Sequence, residues 1–335
     1  MEIVHRPYQT AFNKWSEDKE KVLVLTADLT NSCEVGEWKN LYPDRFFLMG
    51  MAEQNMIGFA AGLARKGFYP YLHSFAVFLY RRPYDQLAMS IAYSNLPVRL
   101  IAFLPGITTP GGVTHQAIDD LALMRTMPNM TVFSVGDATE AETILDSIQS
   151  VDGPVYVRML RGEVPRLFPS SVPFEFNRAR ILSEGDDLTI LSEGICTEEA
   201  IRAVSALKEK GLSVNHLHVS TIKPFTDPQI VDALKRSTYG VITLENHLVT
   251  GGLGSAVAEV MTENAVSKKL VRLGLQDTYA HGAGKAYLMK EYKLDAMSLI
   301  ESAENLCDRR FGINEDSLQA IRIDPVHSVS KAEAL

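Results

Sequence analysis

The chain has 335 residues, a net charge of −8, 46% apolar residues and 22% charged residues. That length suits about two domains, and the balance is that of a globular protein with ample material for a core. The acidic charge, without a Lys/Arg cluster, argues against nucleic-acid binding, and no apolar run reaches the length of a membrane span.

The start, Met1-Glu2-Ile3-Val4-His5-Arg6, does not read as a signal peptide. Cys33, Cys196 and Cys307 are far apart, odd in number and without metal-ligand spacing. They point to reduced thiols and a cytoplasmic location.

Apolar runs at 22–25, 46–49, 69–75, 98–104, 131–135 and 155–158 read as strands. Helical patterns at 52–66, 84–94, 116–126 and 138–150 fall between them. A proline-rich stretch at 164–177 reads as a linker. A second alternation follows, with strands at 188–192, 214–219, 240–244 and 270–275 and helices at 197–210, 228–236, 254–263 and 285–291. The expected fold is α/β: two consecutive, mostly parallel-sheet domains with helices on both faces. The boundaries expected are 1–175 and 176–309, with a surface tail at 310–335.

Four segments carry candidate chemistry. In Met51-Ala52-Glu53-Gln54-Asn55-Met56-Ile57-Gly58-Phe59 a carboxylate opens a helix that is apolar on most sides. Such a helix is usually buried, and a buried carboxylate is costly without a donor or a protonatable partner. A solvated acid that favours the helix dipole is the plainer alternative. In His73-Ser74-Phe75-Ala76-Val77-Phe78, the two phenylalanines share a face if the turn is helical; they make a ring platform or simply core. Pro110-Gly111-Gly112-Val113-Thr114-His115-Gln116 is read as a glycine loop opening a helix, where the dipole favours a neutral His115 ring. Thr250-Gly251-Gly252-Leu253-Gly254-Ser255 lacks the full spacing of a dinucleotide loop and reads as a closely packed helix start.

With Thr26-Ala27-Asp28-Leu29-Thr30-Asn31-Ser32, Asp120-Leu121-Ala122-Leu123-Met124-Arg125-Thr126-Met127-Pro128-Asn129 and Glu245-Asn246-His247-Leu248-Val249-Thr250-Gly251-Gly252-Leu253-Gly254, these runs make the chain resemble the C-terminal half of a transketolase. The resemblance runs from about residue 3 to residue 308. It implies a pyrimidine-binding domain followed by a transketolase C-terminal domain, with thiamine diphosphate as cofactor. Transketolases bind the diphosphate and Mg²⁺ through another domain that carries Gly-Asp-Gly, a motif absent from this sequence. A split enzyme is therefore expected, its partner subunit supplying that site and the Mg²⁺ ligands, with an α2β2 heterotetramer as the assembly. No metal ligand is expected in this chain.

By the same resemblance, Glu53 would hydrogen-bond the aminopyrimidine ring nitrogen and promote removal of the thiazolium C2 proton. Phe75 and Phe78 would contact the pyrimidine ring, and Asp28 matches an acid near the cofactor. His115 would hydrogen-bond a ketose oxygen where charge develops. Arg6, Ser32 and Arg161 resemble sugar-phosphate contacts, with Arg158 a weaker candidate; each of these arginines is read alternatively as a surface or interdomain ion pair, a reading nearly as strong for Arg158. Two positions depart from the pattern. Gly111 replaces an acid that reads the hydroxyl next to the reacting carbon, and Phe103 replaces a phosphate-contacting histidine. Apulose 4-phosphate or a sulfosugar then fits better than an ordinary pentose phosphate. Other readings are a deoxyxylulose-phosphate-synthase-like subunit, a 2-oxoacid dehydrogenase β-type subunit, and a non-catalytic partner subunit.

Overall fold

The structure, a computed structural model, describes residues 2–321. Runs such as Val-Leu-Val-Leu-Thr at Val22–Thr26 are buried at every position. Strands that bury both faces suit the middle of a parallel sheet covered by helices on both sides. Among the described residues fourteen strands follow in order: β1 Ile3–His5, β2 Val22–Thr26, β3 Phe46–Leu48, β4 Tyr69–Phe75, β5 Arg99–Phe103, β6 Thr131–Ser134, β7 Val155–Met159, β8 Glu163–Pro165, β9 Arg180–Ser183, β10 Leu188–Ser192, β11 Val214–His218, β12 Thr221–Lys223, β13 Gly240–Leu248 and β14 Leu270–Leu275.

They form a seven-stranded sheet ordered β12-β6-β7-β5-β4-β2-β3 and a five-stranded sheet ordered β14-β13-β10-β11-β9. Every pairing is parallel except β12 on β6 and β9 on β11. A small antiparallel pair, β1 with β8, lies apart from both sheets. The expected fold class is the one found, with helices on both faces. One feature is new: β12 comes from the second half of the chain yet extends the first sheet.

The helix Glu53–Arg65 buries Met56, Ile57, Ala60, Ala61 and Ala64, a three-and-four spacing that lines one face. Its other face, with Gln54, Asn55, Gly58, Phe59 and Gly62, is exposed. The helix expected at 116–126 begins only at Asp120. Ala117 bridges to Pro105 and Gly106, and its carbonyl accepts the Gly106 N–H at 2.8 Å, which draws this backbone out of a helix. The helix expected at 138–150 is two, Ala138–Thr143 and Leu145–Ser150. Asp137 caps the first by accepting the Glu140 N–H. The helices Pro7–Trp15 and Ala296–Cys307 were not apparent from the sequence. Part of the expected tail is packed: Phe311 and Leu318 are buried in the second core, and a helix spans Glu315–Ile321. Residues 322–335 of that tail lie outside the described residues.

The two sheets meet over a polar seam. At the end of β7, Arg158 is 1% exposed. It pairs with Asp120, donates to the Asn246 carbonyl at 3.0 Å, and lies 3.5 Å from Glu193 of the second half. Tyr156 also donates to Asp120, at 2.7 Å. Burial alone would raise the Asp120 carboxyl, but the Arg158 guanidinium overrides it and holds the group below the usual carboxylate range. Of the two readings open for Arg158, the interdomain ion pair is the one found. Its donors are spent inside the protein, so it is not available to a substrate.

Replacing Arg158 with Ala leaves Asp120 and Glu193 buried without their cation. The expected loss is about 3–5 kcal/mol in urea unfolding, and a loss below about 1 kcal/mol would contradict this account of the seam. Nearby, burial pushes the Glu245 carboxyl up to about 8, and its Oε2 has no partner among the described residues. Between the ordinary carboxylate value and about 8 the folded protein keeps a proton that the unfolded chain has released. Stability therefore falls as pH rises through that window. Glu245→Gln should flatten the decline in unfolding midpoint from pH 5 to 8; an unchanged slope would mean that Glu245 does not cause it.

Candidate functional site

Parallel strands end on one side of a sheet, and the loops leaving them share a rim. Asp28 follows β2, Glu53 follows β3, Phe75 ends β4, His115 lies in the loop after β5, and Arg161 follows β7. The register sets the alignment: Thr26 lies opposite Leu48 on one side and His73 on the other, and Phe75 lies opposite Phe103.

Glu53 is the first residue of its helix and is 3% exposed. Its Oε1 accepts from Arg82 Nη1 at 2.6 Å. The Arg82 guanidinium lies over the Phe78 ring, 4.1 Å from its centroid. Phe78 stacks on Phe75 at 6.0 Å and an interplanar angle of 28°. The short helix Ala76–Tyr80 begins just after Phe75, and its turn brings the two rings together. The His115 ring meets Phe78 edge-on at 5.4 Å and Phe75 at 6.3 Å. These contacts join Glu53, Arg82, Phe78, Phe75 and His115 into one array. Arg82 was missed in the sequence, where only its place after the aromatic run marks it.

The array continues into a basic corner. The Arg161 guanidinium lies 5.5 Å from the Phe75 centroid and donates to the Ser32 carbonyl at 2.9 Å. Arg6, Asp28 and Ser32 border a groove of about 930 Å³, together with Asn31 and Lys39. Arg6 and Asp28 hold left-handed backbone, with φ of 44° and 66°. Such strain persists in non-glycine residues only where the surroundings impose it, and it gathers at functional sites.

His115 is not at a helix N-terminus, because the helix starts at Asp120. The dipole argument for its ring does not apply. Its Nδ1 is instead hydrogen-bonded to Thr114 Oγ1 at 2.9 Å. Gly111 leaves room for this ring: a Cβ there would lie 3.0 Å from His115 Cγ. Phe103 is fully buried against Tyr8, their rings edge to face at 5.6 Å, and takes no part in the groove.

A pyrimidine ring fits what this rim offers: a stacked aromatic pair, a histidine edge and a buried carboxylate. Gly-Asp-Gly, the run that the resemblance ties to diphosphate binding, does not occur in the sequence. Among the described residues no group of three or more His, Cys, Asp or Glu could hold a metal, and no helix is long and apolar enough to cross a membrane.

Residues 5–166 match the family model "Transketolase, pyrimidine binding domain", and residues 177–299 match "Transketolase, C-terminal domain". A transketolase C-terminal section of Methanocaldococcus jannaschii is 38% identical over 84% of this chain and 88% of its own length. A 6-deoxy-6-sulfo-D-fructose transketolase subunit of a Clostridium species is 36% identical over 89% of this chain and 92% of its own. A solved split-gene transketolase, described as an inactive β4 tetramer, superposes with a TM-score of 0.81 at 36% identity, covering 91% of this chain and 98% of that one.

The packing of His115 against Gly111 has a direct test. In Gly111→Ala the His115 ring must give by a few tenths of an ångström against Phe75 and Phe78. Its ring-current-shifted proton resonances should move, while Gly58→Ala, which points into open space, should leave them in place. Unmoved His115 resonances in Gly111→Ala would show that the glycine does not set the ring.

Proposed function

The chain belongs to the transketolase family, and on that premise we propose that it is one subunit of a split, thiamine-diphosphate-dependent transketolase. The enzyme would move a two-carbon ketol unit from a ketose phosphate, or a similar anionic ketose, to an aldose phosphate. One observation carries the reading: Glu53, Phe75, Phe78 and His115 form a contiguous array beside a groove edged by Arg6 and Ser32.

Thiamine diphosphate, when bound, supplies the carbanion chemistry that breaks and remakes the C–C bond. The residues of this chain orient and tune it. Phe75 and Phe78 hold the pyrimidine ring by stacking. Glu53 holds a proton at the ring nitrogen, within a setting that is 3% exposed. His115 stabilises charge at the ketose oxygen. Arg6 and Arg161, with Ser32, take the anionic end, where the guanidinium fork makes paired charge-assisted bonds. Asp28, which lines the groove, would stand near the cofactor.

The diphosphate and Mg²⁺ belong to a partner subunit with Gly-Asp-Gly, in an α2β2 assembly. Exposed apolar residues support such a cover: Met51 is 80% exposed, Leu48 53% and Phe59 40%. The substrate is an unusual ketose. Gly111 offers no carboxylate to the hydroxyl beside the reacting carbon, and a hydroxyl without its buried partner loses about 1–3 kcal/mol. The relative named for 6-deoxy-6-sulfo-D-fructose supports a sulfosugar as one candidate, with apulose 4-phosphate as the other.

In the reconstituted pair, Glu53→Ala should remove nearly all turnover while the unfolding midpoint stays within a few degrees. Retention of near wild-type rate would refute the role of Glu53. With xylulose 5-phosphate, apulose 4-phosphate and 6-deoxy-6-sulfofructose as donors, one of the two unusual sugars should exceed xylulose 5-phosphate in kcat/KM by about tenfold or more. A preference for xylulose 5-phosphate would return the enzyme to ordinary pentose chemistry.

A further inference from the structure

We propose that Glu34 is a positioning residue that sets Arg6 and Arg161 as one anion-binding pair, by holding Gly162 between them. The inference rests on the reading of that corner as the sugar-phosphate end. Glu34 Oε1 accepts the Gly162 N–H at 2.7 Å. The Gly162 carbonyl accepts the Arg6 N–H, also at 2.7 Å. Arg161 is the residue before Gly162, and its own guanidinium reaches the Ser32 carbonyl, two residues before Glu34. The result is a closed circuit: Glu34 fixes the Arg161-Gly162 turn, the turn fixes Arg6, and Arg161 ties back to the Glu34 loop.

Three features show that this circuit is an imposed arrangement. Glu34 is 4% exposed, and its Oε2 is buried without a partner among the described residues. A carboxyl is a costly way to satisfy one backbone N–H, so the position serves more than local folding. Glu34 and Arg6 both sit in left-handed backbone, at φ of 59° and 44°. Gly162 at φ 72° supplies the matching turn. Arg161 Nε, finally, is buried without a partner among the described residues, so this guanidinium keeps unspent donor capacity.

Charge and hydrogen bonding can be separated. Glu34→Gln keeps an acceptor of the same reach for Gly162 and removes the carboxylate. Glu34→Met keeps the volume and removes the acceptor. Both are measured in the assembled two-subunit enzyme, with the sugar-phosphate donor and with inorganic phosphate as competitor. Glu34→Met should raise the donor KM and the phosphate Ki by about tenfold, with kcat within about threefold. Glu34→Gln should restore both to within about threefold of the wild type. Unchanged KM and Ki in Glu34→Met, a fall in kcat alone, or a glutamine variant as impaired as the methionine one would each overturn the assignment. Should Glu34→Met not fold, Glu34→Asp, one methylene too short to reach Gly162, carries the same expectation. A wild-type complex that transfers no ketol would refute the functional reading instead. Calorimetric titration of inorganic phosphate into the same complexes still decides on Glu34: binding about tenfold weaker in the variant supports it, and equal binding overturns it.

Discussion

The parallel register of β5, β4, β2 and β3 is the constraint on which the site depends. Strands that run the same way deliver their exits to one rim, so residues remote in sequence meet without any helix or loop reaching across the fold. Side chains alternate along a strand, so a slip of β4 by one residue would turn Phe75 to the other face. That slip would separate Phe75 from Phe78 and remove the ring against which Arg161 rests. The ladder protects the register with β2, β4 and β5, which are buried at nearly every position. Arg6, Asp28 and Glu34, beside the groove, all take left-handed backbone that non-glycine residues avoid.

The second half of the chain contributes none of the array, yet it governs where His115 stands. The loop after β5 has no helix of its own until Asp120. Asn246 grips it from the other domain: its Oδ1 accepts the Ile107 N–H at 3.0 Å, and its Nδ2 donates to the Pro105 carbonyl at 3.0 Å. Gln116 donates to the His281 carbonyl at 3.2 Å, and Gly112 and Gly282 approach so closely that a Cβ on Gly112 would lie 3.3 Å from Gly282 N. The glycines are thus needed at this crossing for contact between backbones. Buried charges such as Arg158 are an expensive way to join two domains. Here they share the same peptides: Arg158 donates to the Asn246 carbonyl, and Glu193 accepts the Asn246 N–H at 2.7 Å. The ion pair that docks the domains also orients the residue that holds the loop carrying His115.

What the sequence disclosed follows from which forces are local. Runs buried on both faces identify themselves, so 69–75 and 188–192 match β4 and β10 end to end; 270–275 matches β14 as well, although only its last two residues are buried. The helix Pro228–Arg236 likewise announces itself through proline in its first turn and Asp227 as cap. The burial of Glu53 was legible because a carboxylate on an apolar helix contradicts its surroundings. The helix itself is less buried than its composition implies, since its residues 54, 55, 58, 59 and 62 face outward in the isolated chain. The helix expected from 116 failed because a bridge from Ala117 to 105–106, invisible to periodicity, outweighs local propensity. Arg82, Glu34 and Asn246 escaped because their meaning lies in partners far away in sequence. Arg158 was caught between two readings for the same reason: an arginine at a strand end looks alike whether it faces a phosphate or a buried aspartate.

The pairing of Glu53 with Arg82 bears on how such an acid survives in a chain that holds only part of its site. A buried carboxylate without a counter-charge would be strongly destabilising. The two partners differ in freedom: Glu53 is 3% exposed and fixed at a helix start, whereas Arg82 is 47% exposed on a flexible stem. Arg82 also covers the face of Phe78 on which a planar ring would stack. A ring arriving there meets the guanidinium twice, once over the phenyl face and once at Glu53 Oε1. Displacing it would exchange a cation–π contact for ring stacking, two contacts of similar size, and an ion pair for a bond to the incoming nitrogen. The movable partner can therefore leave for solvent while the acid remains where the backbone put it.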